Sequence, residues 1–549
     1  MKLLLVMIFM LNIKKIRKQK MFPLNKKYFF NTLLISKLFL LTSILFNSAY
    51  GQEALQSTRP IVFSKPTELN WRSITWPSIN YSRIPVDGGA AIYTLPSESA
   101  LKFKINIILP GGVYSLPKED RPSYGAMVDL LAYGGIGNLN FDELQNYTTE
   151  YGINLKTSLL ANGQIIISTD ALTQDFSRVI DLLTDIILKP RFDKAALPLW
   201  KQQSNDAFKN LLDSNTSEKQ FRFIDQQANS MIFGKDHYFA TTIDRSSPKS
   251  IDKINYDKIK ELYKKTISRN GLNAFISGSY SQKDLDKLKN LISKIPYLEP
   301  SIRTWLPSRN IENTNLKSIR TEIITKPDMS QCNISLRYYF PKIGKLNSIE
   351  SIQFDILEDI FSSSGGIVGN DRFSKALRAD SGISYSPHAY FNETVLYPNT
   401  DIGMFSMTFQ SPNERIAEAI QLATKTWDEF LKNGITQEEL DNSRTSLINR
   451  MLASELTVFN RSDELMGQIL RGLLPSINPI EFNLAKLDKQ RNLANINDTL
   501  KKLSKDSIYP VLVIMGNPNA EQISQIKKIN NIEIVNLTDL TTLTKQYLN

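Results

Sequence analysis

The 549-residue chain has a single cysteine, Cys332, and two histidines, His237 and His388. One cysteine excludes an internal disulfide, so the fold must be held by its cores, and the length allows more than one. Two distant histidines and one cysteine do not make a zinc ligand set. Long hydrophobic runs are also missing. Leu38–Phe46 is far short of the ~20 apolar residues that span a bilayer, and Lys37 interrupts any longer reading. Acidic residues are absent from residues 1–51, which hold nine Lys/Arg and so account for most of the net charge of +11. The remainder carries only +2, which argues against a nucleic-acid-binding surface.

The basic leader reads as a secretory signal peptide over residues 1–51. Lys26-Lys27 supply its charge, Leu38–Phe46 its apolar run, and Ala49-Tyr50-Gly51 a cut before Gln52. A second apolar run, Leu3–Leu11, makes Met21 the expected true start; an uncleaved anchor is the rival reading. Export without disulfides points to a bacterial periplasm.

The body repeats itself. Asp142–Gly152 followed by Ile153-Asn154-Leu155 matches Arg372–Gly382 followed by Ile383-Ser384-Tyr385, with the glycines 230 residues apart. After a polar extension, residues 52–79, a first unit is expected over 80–299. It holds strands at Ala91–Leu95, Leu101–Leu109, Ile153–Leu159 and Gln164–Thr169, the last two joined at Asn162-Gly163. A helical stripe runs from Phe176 to Ile187, ahead of Pro190. Pro300–Pro327 reads as a surface linker. The second unit, 328–549, repeats the order: strand Asn333–Phe340, a helix from Ile349 to Phe361, a short helix Arg372–Asp380, strands Gly382–Phe391 and Gly403–Gln410, and a helix from Ile416 to Leu431. Thr436 to Glu439 form a capping box for the next helix. Leu272–Gly278 and Val511–Gly516 close the two units as buried strands. The expected class is α+β: two homologous domains, each a mostly antiparallel sheet with helices packed on one face.

The order and spacing of Gly125-Ala-Met-Val-Asp-Leu-Leu-Ala132, Tyr151-Gly152-Ile153, Phe233-Gly-Lys-Asp-His-Tyr238 and Phe373-Ser-Lys-Ala-Leu-Arg-Ala-Asp-Ser-Gly-Ile-Ser-Tyr385 resemble the pitrilysin/insulinase family of zinc peptidases. The resemblance implies two facing domains around a peptide chamber. Active members carry His-x-x-Glu-His on the first helix, two zinc ligands and a general base. Here Val128, Leu131 and Ala132 stand at those positions; a second register puts Ala126, Asp129 and Leu130 there. Neither supplies a histidine, so no metal is expected in this chain. Asp206 lies near the family's carboxylate ligand but reads as a solvated helix residue, His237 as part of a structural turn, and His388 as a surface or sheet-edge residue.

The second copy differs. Arg378 and Tyr385 match the spacing of an Arg and a Tyr that reach the substrate in the family's non-zinc domain. A guanidinium and a phenol suit a peptide carbonyl and its oxyanion. The 230-residue offset puts Thr148 and Leu155 at the equivalent places, and these lack that chemistry. The bland alternative is a helix-end cation and a strand aromatic. Gly365-Gly366 resemble a glycine pair that approaches bound peptide, or simply stop a helix. The resemblance thus implies an exported subunit without its own cofactor, supplying Arg378 and Tyr385 to a homologous zinc-bearing partner that cleaves peptides. A non-catalytic envelope scaffold is the alternative.

Overall fold

Strand alternation builds two sheets that are apolar on both sides. In β2 (Ala90–Pro96), Ala90 and Ile92 join one core while Ala91, Tyr93 and Leu95 join another, and all five are buried. In β8 (Gln331–Phe340), Cys332, Ile334, Leu336, Tyr338 and Phe340 point into one core, and Tyr339 into a second. Strands with both faces buried need cover on both sides, and this requirement shapes the fold.

The computed structural model describes residues 81–113, 116–160, 163–213, 217–299, 318–340, 349–362, 371–392, 403–454, 457–470, 479–506, 509–529 and 531–548. The leader, the extension, Asn162, Gly365-Gly366 and most of the expected linker lie outside them.

The first half runs β1 (Ser82–Val86), β2, β3 (Lys102–Leu109), α1 (Arg121–Tyr133), α2 (Phe141–Glu150), β4 (Asn154–Leu159), β5 (Ile165–Leu172), α3 (Phe176–Leu188), α4 (Ala196–Asp213), α5 (Ser217–Phe233), α6 (Tyr256–Thr266), β6 (Asn273–Gly278) and α7 (Gln282–Lys294). Its sheet order is β1-β2-β6-β3-β5-β4, antiparallel except for β2 with β6. The second half runs β7 (Ile319–Thr325), β8, α8 (Ile349–Phe361), a short helix from Arg372, β9 (His388–Asn392), β10 (Gly403–Pro412), α9 (Ile416–Asn433), α10 (Gln437–Ser454), α11 (Val458–Leu470), α12 (Pro479–Asp488), α13 (Leu493–Asp506), β11 (Tyr509–Gly516), α14 (Ala520–Lys527), β12 (Ile532–Asp539) and α15 (Leu540–Leu548). Its order, β12-β7-β11-β8-β10-β9, repeats the first from the second strand inward. Only the outer edge differs: β1 is antiparallel to β2, whereas β12 is parallel to β7.

The α+β duplication is therefore as expected, and the Thr436–Glu439 capping box forms reciprocally, at 2.8 and 3.2 Å. Two expectations are corrected. The end of the presumed linker is β7, an interior strand with Ile319, Thr321, Ile323 and Ile324 buried. Glu322 made it look polar, but its carboxylate is buried, accepts from Asn536 Nδ2 at 3.1 Å, and has its pKa raised by burial. The expected strand Gly382–Phe391 is pleated only from His388.

Helices of each half's own sequence cover one face of its sheet. The other face is covered by exchange. From the first half, α5 lies on the second sheet, packing Phe223, Ile224, Ala228 and Phe233 with Val511, Val513, Met515 and Tyr339. From the second half, α11 lies on the first sheet, packing Leu465 with Ala91, Tyr93, Ile108 and Phe275. The two contacts carry matching charges. Lys104 of β3 reaches both carboxylate oxygens of Asp463 on α11, at 2.7 and 2.8 Å. Arg337 of β8 pairs with Asp225 on α5 and donates to Ser335 Oγ at 3.1 Å. Burial disfavours the Arg337 charge, but Asp225, Tyr339 and Tyr390 outweigh it and raise its pKa above the ordinary value.

These pairs differ in shielding. The Arg337 side chain is 3% exposed, that of Lys104 26%. Asp225→Ala should cost about 3 kcal/mol, because it strands a buried cation. Asp463→Ala should cost about 1 kcal/mol or less, because water can reach Lys104. Urea unfolding of both variants checks the order, and equal losses would contradict it.

A second prediction concerns Glu358 of α8, whose carboxylate accepts the Phe391 N–H of edge strand β9 at 2.7 Å. Burial raises its pKa from 4.5 to about 7, helped by Asp355 and Asp359 and opposed by that hydrogen bond and by Arg450. Between these values the folded chain keeps a proton that the unfolded chain has lost. This site's contribution to stability therefore falls as pH rises from about 4.5 to about 7 and is flat above. Glu358→Gln keeps the acceptor and removes the titration. At pH 8 it should be more stable than wild type by about 2 kcal/mol, after discounting for residual solvent contact, with the advantage vanishing at pH 4 in thermal melts.

Candidate functional site

The 3.6-residue period settles what each side of α1 faces. Tyr124, Met127, Val128 and Leu131 follow i, i+3, i+4, i+7 spacing and enter the first core. Pro122, Gly125, Ala126 and Asp129 occupy the next face and line a cavity of about 340 Å³. Opposite stand Trp200, Ser204, Ala207, Phe208 and Leu211 of α4, with Arg222 of α5 and the stretch from Thr242 to Ile251 closing the sides. Val128 and Leu131 are thus core residues, 1% and 0% exposed, rather than cavity residues. Of the second register, Ala126 and Asp129 line the cavity and Leu130 is buried away from it. The step from the small pair Gly125-Ala126 to the larger pair Met127-Val128 carried that signal. Ala132 is half-buried and does not line the cavity.

Asp129 is the cavity's carboxylate. Trp200 Nε1 donates to its Oδ2 at 3.1 Å. The surrounding walls raise its pKa by burial, against the effect of that hydrogen bond. Arg121, Arg222 and Arg245 also line the cavity, and reading the sequence for metal ligands gave no reason to single them out. Asp206 lies outside the lining and faces Lys209 at 3.9 Å. His237 stacks on Phe233, with ring centroids 4.7 Å apart. His388 sits on edge strand β9 with its ring stacked on Tyr390. Among the described residues, no group of three His, Cys, Asp or Glu side chains is placed to hold a metal ion.

In the second half, Arg378 and Tyr385 come together. The short helix after Asp371 begins as α-helix, Arg372–Ser374, and widens to a π-helical turn over Lys375–Asp380 that carries Arg378. Gly382 then reverses the chain at φ +64°, as Gly152 does at +60° in the first half, a conformation that glycine adopts without a Cβ penalty. The halves part company after that glycine. β4 starts two residues beyond Gly152, whereas β9 starts six beyond Gly382. Tyr385 lies in the added loop, not in a strand, and is 80% exposed. The Arg378 guanidinium lies over its ring, 4.3 Å from the centroid. At the equivalent places, Thr148 is buried and bonded to the Gln145 carbonyl, and Leu155 packs against the core. A second, larger cavity of about 800 Å³ opens where α5 crosses to the second sheet, lined by Lys118, Lys235, Arg320 and Glu322 among others. It contains none of the residues expected from the sequence.

Known proteins agree with this architecture. Residues 253–447 match the family model described as the peptidase M16 inactive domain. The chain is 23% identical over 459 residues to the Helicobacter pylori protein named non-peptidase homolog YmxG, covering 79% of this chain and 92% of that one. Its fold is similar to a crystal structure of a peptidase M16 inactive domain from Pseudomonas fluorescens. That match has a TM-score of 0.65 and 18% identity, over 80% of this chain and 98% of the other. It is also similar to the periplasmic protease PqqL from Escherichia coli, with a TM-score of 0.66 and 13% identity, over 83% of this chain and 46% of that one. The chain thus has the duplicated α+β fold of these M16-type proteins, its residues 253–447 are similar to the M16 inactive domain, and its sequence contains no His-x-x-Glu-His.

Proposed function

We propose that this chain is the metal-free subunit of an exported two-chain peptidase, presenting Arg378 and Tyr385 to an active site whose zinc and general base belong to a homologous partner. The observation that carries this reading is the asymmetry of the duplication. The first half has no histidine in its cavity, while the second holds a guanidinium and an exposed phenol in contact on an inserted loop. Both groups donate hydrogen bonds. Directed at a scissile peptide, they would bind its carbonyl and then the oxyanion formed when the partner's zinc-bound water attacks. The partner would supply the metal chemistry, and this chain's share would be binding and charge stabilisation. Export is supported by the basic leader, and PqqL, a relative in fold, is described as periplasmic.

A second reading has its own support. The sequence relative is named a non-peptidase homolog and the matched family model an inactive domain. On that reading the chain is a peptide-binding scaffold of the cell envelope. Co-purification from the native envelope separates the two: a zinc-bearing homologue in stoichiometric amount supports the two-chain peptidase, and its absence supports the scaffold.

With the partner present, Arg378→Ala and Tyr385→Phe should each lower kcat by about 10- to 100-fold on unfolded peptides, the scale of losing an oxyanion donor. Assembly, followed by size-exclusion chromatography, should be unchanged. Chelator-sensitive peptidase activity in the isolated chain would sink the proposal. Mass spectrometry of the native protein should find Gln52 at the mature N-terminus, and a protein retaining residues 21–51 would contradict cleavage.

A further inference from the structure

The cavity between α1 and α4 has a chemistry of its own. Three guanidiniums, from Arg121, Arg222 and Arg245, contribute to a lining that otherwise includes Pro122, Leu159, Trp200, Phe208, Leu211 and Ile251. Its one carboxylate, Asp129, does not neutralise them. Burial raises its pKa against the effect of the Trp200 hydrogen bond, and among the described residues it forms no ion pair with the three arginines. Arg121 and Arg245 share the Tyr238 ring, with guanidinium carbons 5.9 and 3.7 Å from its centroid. They are near enough that burial first, and then the Arg245 charge, lower the Arg121 pKa, opposed by Tyr238, Asp236 and Glu119.

Much of the donor capacity stays open. Arg121 spends Nε and Nη1 on the Leu116 and Asp236 carbonyls, at 3.2 and 3.0 Å. These bonds fix its guanidinium and leave Nη2. Arg245 spends Nε on the Thr241 carbonyl at 3.2 Å, and Arg222 makes no side-chain hydrogen bond or ion pair among the described residues. A planar carboxylate matches such donors in charge and geometry. The apolar walls exclude a strongly hydrated inorganic anion as the best fit. At about 340 Å³ the space is at the small end for ligand pockets, room for one terminal residue rather than a folded segment. Trp200 occupies Asp129 Oδ2 and leaves Oδ1 to accept a backbone N–H.

We propose that this cavity beside α1 receives the C-terminal carboxylate and apolar last side chain of a peptide. The guanidiniums of Arg121, Arg222 and Arg245 take the carboxylate, Asp129 takes the last backbone N–H, and the side chain lies against Trp200, Phe208 and Leu211. The site is independent of Arg378 and Tyr385 and stands whether or not a peptidase partner exists.

The test is titration calorimetry on the full mature chain with three probes: N-acetyl-Ala-Ala-Phe, its C-terminal amide, and 3-phenylpropionate. Trp200 in the cavity wall gives a parallel fluorescence signal. The peptide acid should bind at least tenfold more tightly than the amide, and raising salt should narrow the gap. Arg222→Ala and Arg245→Met should each weaken the acid at least tenfold and leave the amide unchanged, while Arg378→Ala should change neither. Arg222 is exposed on α5, so its variant keeps the test valid if Arg245→Met does not fold. Equal binding of acid and amide, no detectable binding of the acid, or indifference to Arg222→Ala would overturn the site. Binding of 3-phenylpropionate as tight as the peptide acid would overturn the peptide assignment in favour of free small carboxylates.

Discussion

Everything in this fold depends on the exchange of α5 and α11. Strands such as β2, β8 and β11 are apolar on both sides, and a half-sheet whose second face met water would lose much of its hydrophobic stabilisation. Each half therefore completes the other. The charge pairs within these contacts, Lys104 with Asp463 and Arg337 with Asp225, join the equivalent strands β3 and β8 to the exchanged helices, though at different positions along them. Their role is best read as orientation: a salt bridge adds little net energy, but a misplaced helix would leave Arg337 buried without its carboxylate. The first half can lose its metal chemistry, yet it cannot be dispensed with. Its helix covers the sheet of the half to which Arg378 and Tyr385 belong.

The two halves diverge where the chain leaves the sheet. Strand order, the positive-φ glycines and the strand-closing glycines Gly278 and Gly516 are shared. Each of the latter abuts the neighbouring strand so closely that a Cβ would strike it, at 2.2 Å from the Lys102 carbonyl and 2.3 Å from the Cys332 sulfur. Such contacts hold the scaffold in common. The distinguishing chemistry sits on one face of α1 and in a loop of a few residues after Gly382, which is how a rigid duplicated frame can present unlike sites.

Most of the scaffold was legible in the sequence because it follows from periodicity. The helices Phe176–Leu188 and Ile416–Asn433, the Thr436 capping box and the closing strands all obey local rules. What was missed depends on neighbours distant in the chain. β7 passed for linker because Glu322 needs Asn536, more than 200 residues on, to be tolerable in a buried strand. The second cover on each sheet was implied by the unbroken run Val511-Leu512-Val513-Ile514-Met515, but not which helix supplies it. At the site, Arg378 and Tyr385 were singled out by their spacing, but neither their contact nor the loop that presents the tyrosine was foreseen, since Ile383 to Phe391 has strand-like composition. The apolar period of α1 puts Val128 and Leu131 in the core and Asp129 on the cavity face. The arginines of the cavity come from three separate elements, and only folding gathers them.

The stacking of Arg378 on Tyr385 also bears on entropy. A free arginine side chain has about 2 kcal/mol of rotamer freedom to lose when a ligand pins it. Resting on the phenol ring, 4.3 Å from its centroid, Arg378 has already given up part of that freedom. The ring is itself held by only two side-chain torsions on a short loop. A carbonyl arriving at this corner meets donors that are largely ordered in advance, so more of the interaction energy survives as affinity.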